Sequence, residues 1–250
     1  MAEYRAVARG ESADLLLLDG THLVSDALSA GLRLHHMMVA AEALTHADIH
    51  ALVERATSRD VDIAVASVPV MNAASPVRSA SPIIAIAARP VLASRIFAGK
   101  APLVIIACDV QDPGNLGAIA RVAESAGASG LIAAGQSADP FGWKAVRGSM
   151  GSAFRLPIAM HGTGAEAIAD ARRHGCRIIA TVPRAGAPLF DADLEGSLAI
   201  LIGGEGHGLS AQLVASADER LSIPMQAPVE SLNAAVTAAL VAYEARRRRS

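Results

Sequence analysis

The sequence predicts an α/β protein. Short apolar runs that read as buried strands alternate with amphipathic stretches along the chain. Hydrophobic residues make up 52% of it, enough to bury sizeable cores and to exclude global disorder. Three loops of unusual composition each follow an apolar run: Asp109 to Arg121, Gly203 to Gly208, and the stretch from Leu221 to Asn233. Open α/β sheets bind ligands in crevices beyond their strand ends, so these loops are expected to assemble one site.

The elements come in the following order. Residues 1 to 12 are polar and read as a loose arm. Leu15 to Leu18, Met37 to Ala40, Val61 to Ala66 and Ile83 to Ala88 read as strands. Helices are expected between them at Thr21 to Ala30 and Ala47 to Ser58, with a turn-rich link at Pro69 to Pro76 that has room for a short helix. This β-α-β-α-β-α-β order makes a small α/β domain over residues 1–90. Residues 91–101 lack clear periodicity and read as a linker, and residues 102–250 as a second domain. In the second domain strands are expected at Leu103 to Cys108, Leu131 to Ala134, Phe154 to Ile158, Arg177 to Thr181 and Leu198 to Ile202. Helices are expected at Asn115 to Ala126, Pro140 to Arg147, Ala165 to His174 and Leu209 to Ala215. The alternation implies a mostly parallel sheet covered on both faces. A short strand ending at Pro224 leads to a final alanine-rich helix starting near Ser231, capped by Ser231 or a neighbour, with Asn233 in its first turn. Ala, Val and Leu surround that helix nearly all round, so it must be buried in a core or against a partner.

Composition removes several function classes. Aromatic residues are only 3%, which argues against stacking platforms as the main recognition device. The net charge is -2, so no global field draws the chain to polyanions, although arginine outnumbers lysine and suits local phosphate contacts. Cys108 and Cys176 lie in apolar runs, which fits buried thiols in a reducing cytoplasm. The eight histidines show no metal-ligand spacing, so no metal is expected. No signal peptide is visible and no apolar run is long enough to span a membrane.

In the first loop Asn115 belongs to a helix mouth. Arg121 lies among Ile119, Ala120, Val122 and Ala123, where a buried guanidinium needs an acidic partner or a charged ligand; Glu124 and Asp109 are structural candidates. The second loop, Gly203-Gly204-Glu205-Gly206-His207-Gly208, lacks both standard phosphate-loop spacings, and Glu205 would repel a pyrophosphate. A carboxylate there suits a cationic ligand or an arginine. In the third, Ser231 and Asn233 stand where free backbone N–H groups make a site.

Taken together, Asn115-x-Gly117-x-x-x-Arg121, Gly203 to Gly208, and Ile223-Pro224-Met225 followed by Ser231-Leu232-Asn233 resemble the three motifs of the SpoU-type branch of the SPOUT RNA methyltransferases. The resemblance covers residues 101 to 247, and residues 13 to 88 look like the family's small RNA-binding domain. It implies a deep trefoil knot in the C-terminal domain, an otherwise rare topology. It implies S-adenosylmethionine held mainly by loop backbone at Thr181, Gly203, Ile223 and Leu232. It implies a cytoplasmic homodimer built from the C-terminal domain, and transfer of a methyl group to a ribose 2′-hydroxyl of ribosomal or transfer RNA. Arg121, Asn115, Glu205, Ser231 and Asn233 would carry the chemistry, with Arg121 facing the crevice near Glu205. A non-catalytic RNA-binding protein of the same fold and a SPOUT enzyme acting on a base are the alternatives at this stage.

Overall fold

A computed structural model of the chain describes residues 1–77 and 79–249. The chain divides into two compact units. The first combines Met1–Pro90 with Phe141–Arg155; the second combines Val91–Pro140 with the chain from Leu156 onward.

The first unit carries α1 (Ala2–Ala8), β1 (Leu15–Asp19), α2 (Thr21–Ser29), β2 (Leu34–Ala40), α3 (Ala47–Thr57), β3 (Asp62–Ala66), α4 (Val68–Ala74) and β4 (Ile83–Ala88). Its sheet order is β1-β4-β2-β3, with β4 antiparallel to both neighbours and β2 parallel to β3. Ile83 to Ala87 are all buried, so the inner strand β4 is apolar without alternation. The segment expected to be a loose arm is the helix α1. Tyr4 and Val7, three residues apart, bury one face of it, and Arg5 donates to the Ala73 carbonyl at 2.7 Å. Glu3, Arg5 and Arg9 on its other positions made the segment look uniformly polar.

The second unit runs β5 (Leu103–Cys108), α5 (Pro113–Ser125) and β6 (Gly130–Ala134). The chain then joins the first unit as α6 (Trp143–Ser149) and a 3-10 turn at Ser152–Phe154. It returns as β7 (Ile158–His161), α7 (Gly164–Arg173), β8 (Arg177–Thr181), β9 (Ala187–Pro188), β10 (Leu198–Gly203), α8 (Ala211–Ala215), β11 (Glu219–Ser222) and α9 (Ala234–Arg248). The seven strands lie in the order β7-β6-β5-β10-β8-β11-β9, and each adjacent pair is parallel. Every residue of β5 is buried, as a strand covered on both faces requires. Between β4 and β5 in the sequence, residues 91–101 are not bare chain. Ile96 is 2% exposed and joins the second core, seated where a side chain at Gly130 would collide with it. Phe97 stacks on His174 with ring centroids 4.1 Å apart.

The final helix starts at Ala234 with Asn233 as its N-cap, three residues later than expected. Ala234, Ala238, Val241, Ala242 and Ala245 are buried, and α9 packs on α5 and β10. Val236, Leu240 and Tyr243 remain exposed on the opposite side. The terminal arginines hold the helix down. Arg246 donates to the Ser125 carbonyl at the end of α5 at 2.8 Å, and Arg249 to the Ala101 and Leu194 carbonyls at 3.1 Å each. Hydrogen bonds from Arg247 and Arg248 pull the Glu244 carboxyl down to about 2. Both cysteines are free and buried, and burial, with Asp109 adding a smaller effect, pushes the Cys108 thiol up to about 12. No helix among the described residues is long and apolar enough to cross a membrane.

Phe141 to Arg155 was expected to belong to the second domain, whereas the contacts place the segment with the first unit. Phe154, 2% exposed, anchors it. Phe154→Ala is expected to lower the unfolding free energy by about 3–5 kcal/mol in urea titration. Hydrogen exchange should accelerate in β1 and β4; acceleration confined to β5 and β10 would contradict the assignment.

Candidate functional site

Strands β5 and β10 pair so that Cys108 stands opposite Gly203. The next residues on each strand, Asp109 and Gly204, therefore meet side by side. A Cβ at Gly204 would overlap the Asp109 carbonyl, and one at Gly203 would collide with the backbone of Gly208 and Leu209. Only glycine permits this approach. Asp109 itself sits at φ 57, in the left-handed region, and its carboxylate accepts from the Gln136 amide at 2.8 Å. Ser137 donates to the Ala107 carbonyl at 3.0 Å and accepts from the Val110 amide at 3.0 Å, which fixes the start of the first loop. Asp112 caps α5 by accepting from the Asn115 amide at 2.8 Å, with Pro113 in the first turn.

Three polar side chains meet across the loops. Asn233 Oδ1 accepts from the Ala235 and Val236 amides at 2.9 and 3.3 Å, as the cap of α9. Its carbonyl oxygen is thus committed to the helix, and its Nδ2 must face outward. That group donates to Asn115 Oδ1 at 2.9 Å. Asn115 Nδ2 in turn donates to Glu205 Oε1 at 2.5 Å. The orientation of both amides follows from the helix cap, because each oxygen is assigned by the donor before it. Glu205 thereby receives an oriented donor without neutralisation of its charge. Among the described residues it has no cationic partner.

Behind this line lies a cavity of about 430 Å³. Glycine backbone from Gly203 to Gly208 forms one wall, and Ile202, Leu209, Val214, Leu221, Ile223 and Leu232 supply apolar surface. Thr181, Gly203, Ile223 and Leu232, expected from sequence to hold a cofactor, all line it. So do Glu205, Ser231 and Asn233, while Asn115 reaches them by the hydrogen bonds above. Thr181 donates to the Leu201 carbonyl at 2.8 Å, which ties the β8 end to β10. Leu209, Val214 and Thr237 were not apparent from the sequence. The only signal they gave was apolar or small residues just beyond a glycine loop and a helix cap.

Arg121 departs from expectation. It is exposed, not buried, and among the described residues it makes no ion pair with Glu124, Asp109 or Glu205. On α5 the buried face is Leu116, Gly117, Ile119, Ala120 and Ala123. At about 100° per residue, position 121 falls just past the edge of that arc. It stands about 9 Å along the helix axis from Asn115 and does not line the cavity. Ser231 does not cap α9, since Asn233 does.

The chain has relatives of known sequence and structure. The model of the SpoU rRNA Methylase family matches residues 102–243. A 23S rRNA (guanosine(2553)-2′-O)-methyltransferase of Bacillus subtilis is 28% identical over 230 residues, covering 92% of this chain and 88% of that protein. The SpoU methyltransferase AviRb from Streptomyces viridochromogenes, solved in complex with the cofactor AdoMet, superposes with a TM-score of 0.86 at 27% identity, over 98% of this chain and 96% of that one. An AdoMet-bound rRNA methyltransferase from Sinorhizobium meliloti gives 0.85 at 27% identity, over 98% and 93% of the two chains.

Asn233→Ala is expected to cost about 1 kcal/mol through loss of the cap, measured by chemical denaturation. Asn233→Asp should keep the cap, and with it nearly all of that stability, while losing the donor to Asn115. Equal destabilisation by the two substitutions would mean that the cap is not what Asn233 contributes.

Proposed function

The chain belongs to the SpoU rRNA Methylase family, and on that premise we propose that it transfers a methyl group from S-adenosylmethionine to a ribose 2′-hydroxyl of ribosomal RNA. The observation that carries this reading is the Asn233–Asn115–Glu205 line at the mouth of a glycine-walled cavity.

The residues present fit that donor. The cavity volume lies within the range of about 300–1,000 Å³ common for small-molecule sites. Its walls are mostly apolar, and Glu205 offers negative charge with no cation already on it, which suits a sulfonium. Thr181, Gly203, Ile223 and Leu232 would hold the molecule, largely through backbone. When bound, S-adenosylmethionine supplies an electrophilic methyl group for in-line displacement.

The protein's share is positioning and charge. Asn115 and Asn233 hold Glu205 in one orientation, and such preorganisation carries much of the catalysis of an in-line transfer. The nucleophile is a poorly acidic hydroxyl, and negative charge develops on its oxygen as its proton passes to solvent water. A guanidinium offers donors and no acceptor atom, so Arg121 cannot serve as a base. Its role here is to hold a substrate phosphate or to stabilise the developing alkoxide. Exposed, and with no carboxylate partner among the described residues, it is free to do so. Ser231 orders the cavity mouth or contacts RNA. The small first unit is the expected RNA-recognition domain, and the cytoplasm is the compartment this reading implies, in keeping with two free, buried cysteines.

The strand order supports a trefoil knot in the C-terminal domain. β10 lies between β5 and β8, β11 lies beyond β8, and the chain then returns so that Leu232 and Asn233 line the same cavity as Gly203 to Gly208. A homodimer through this domain is supported by Val236, Leu240 and Tyr243, spaced four and three residues apart on the outer face of α9. Sedimentation at micromolar concentration should show a dimer, and a dimer unaffected by Leu240→Glu would exclude that face.

Nucleoside mass spectrometry of ribosomal RNA with and without the enzyme should reveal a 2′-O-methylated ribose; a methylated base in its place would end the ribose reading. Arg121→Ala is expected to lower methyl transfer by at least ~100-fold while donor affinity and melting temperature stay near normal, because its side chain lies outside the cavity. Arg121→Lys should also fail, since an ammonium lacks the planar fork. Near-normal transfer by a folded Arg121→Ala protein would remove the arginine from the mechanism.

A further inference from the structure

Phe141 to Arg155 contains Lys144, Arg147 and Arg155 and no carboxylate, in a chain whose net charge is -2. Helix α6 within it buries Ala145, Val146 and Ser149, and it packs on β1. Its other side presents Lys144 and Arg147, both exposed. Neither has a carboxylate partner among the described residues, whereas Arg172, Arg173, Arg177, Arg184 and Arg247 are each paired with one. Like charges three residues apart on a helix repel each other, so the pairing does nothing for the helix itself. Beside them stands Trp143, the chain's single tryptophan, half-buried, with the Lys144 ammonium 5.5 Å from its ring centroid. Cation–π attraction at that range biases the flexible lysine toward the ring. Two unpaired cations, one of them drawn to an indole, on a helix anchored from behind form a surface matched to a polyanion.

We propose that the Trp143–Lys144–Arg147 edge of α6 is a contact surface for the RNA substrate, at which the two cations hold backbone phosphates. This rests on the reading of the protein as an RNA methyltransferase. It assigns part of RNA binding to a segment that lies, in sequence, between β6 and β7 of the methyl-transfer domain. Phosphate contacts of this kind position the substrate without reading its sequence.

The chain's composition makes the test direct. It has one tryptophan and only two lysines, Lys100 and Lys144, so fluorescence reports on α6 and an amine-acylating reagent gives a footprint of two lysine sites besides the α-amino group. The probe is unmodified large-subunit ribosomal RNA transcribed in vitro, added to the full chain. RNA should change the Trp143 emission and protect Lys144 from acylation. Lys144→Gln combined with Arg147→Gln replaces exposed side chains with a good helix former, and melting should be unchanged. That variant should bind the RNA about 10-fold more weakly, and the slope of log affinity against log salt should fall by ~1.5, as loss of two phosphate contacts requires. KM for RNA should rise with kcat and donor affinity unchanged, and Lys144→Arg should restore most of the binding. If the wild-type chain binds RNA, yet Lys144 is not protected and the double variant binds with the same affinity and salt slope, this proposal falls alone. If the wild-type chain neither binds nor methylates the RNA, the methyltransferase reading falls and this one falls with it.

Discussion

The site depends on one close approach of backbone to backbone. Gly204 lies against the Asp109 carbonyl with no room for a Cβ. Parallel neighbours β5 and β10 deliver the two loops at the same level, and the glycine lets them touch. That contact places Glu205, one residue on, within 2.5 Å of the Asn115 amide. Any side chain at Gly204 would separate the loops and cut the polar line at its carboxylate end. The second end depends on the helix cap at Asn233, which sets the orientation of both amides. A purely local feature, satisfaction of helix N–H groups, thus controls which atom faces Glu205 on a loop 28 residues earlier.

Much of this was legible in the residues. Strands buried on both faces write themselves as apolar runs, and Leu103–Cys108 and Arg177–Thr181 have the expected limits. The three loops are visible in their composition and spacing, and the four cavity-lining positions expected to hold a cofactor follow from the family resemblance those motifs carry. What was not legible depended on tertiary facts. The burial of Arg121 was inferred from its sequence neighbours, but burial on a helix is set by angle, and the residue falls outside the arc. The arm at the N-terminus hid a helix because two buried residues, Tyr4 and Val7, suffice to dock seven. The start of α9 could not be fixed between Ser231 and Asn233, since both are good caps; the hydrogen bond to Asn115 is a long-range reason to prefer the latter.

The cations divide into two kinds once their partners are known. Arg246 and Arg249 sit in the most basic run of the sequence, yet they spend their donors on carbonyls at helix and loop ends. Arg121, Lys144 and Arg147 lie outside that run and, among the described residues, carry no such obligation. Charge density along the chain is therefore a poor guide to where this protein offers positive charge to a ligand. Availability of the donors is the better one.

The assignment of Phe141 to Arg155 to the first unit bears on how such a chain could have been assembled. A gene fusion at Pro90 would join two continuous pieces. The trailing piece, however, would carry Phe141, Ala145, Val146 and Phe154, all of them buried residues belonging to the leading piece's core. Recombination that exchanged the leading piece for an unrelated one would leave about two turns of helix with their apolar side bare. The first unit is thus completed by a segment encoded within the second, and exchanging the leading piece would call for compensating change inside the trailing one.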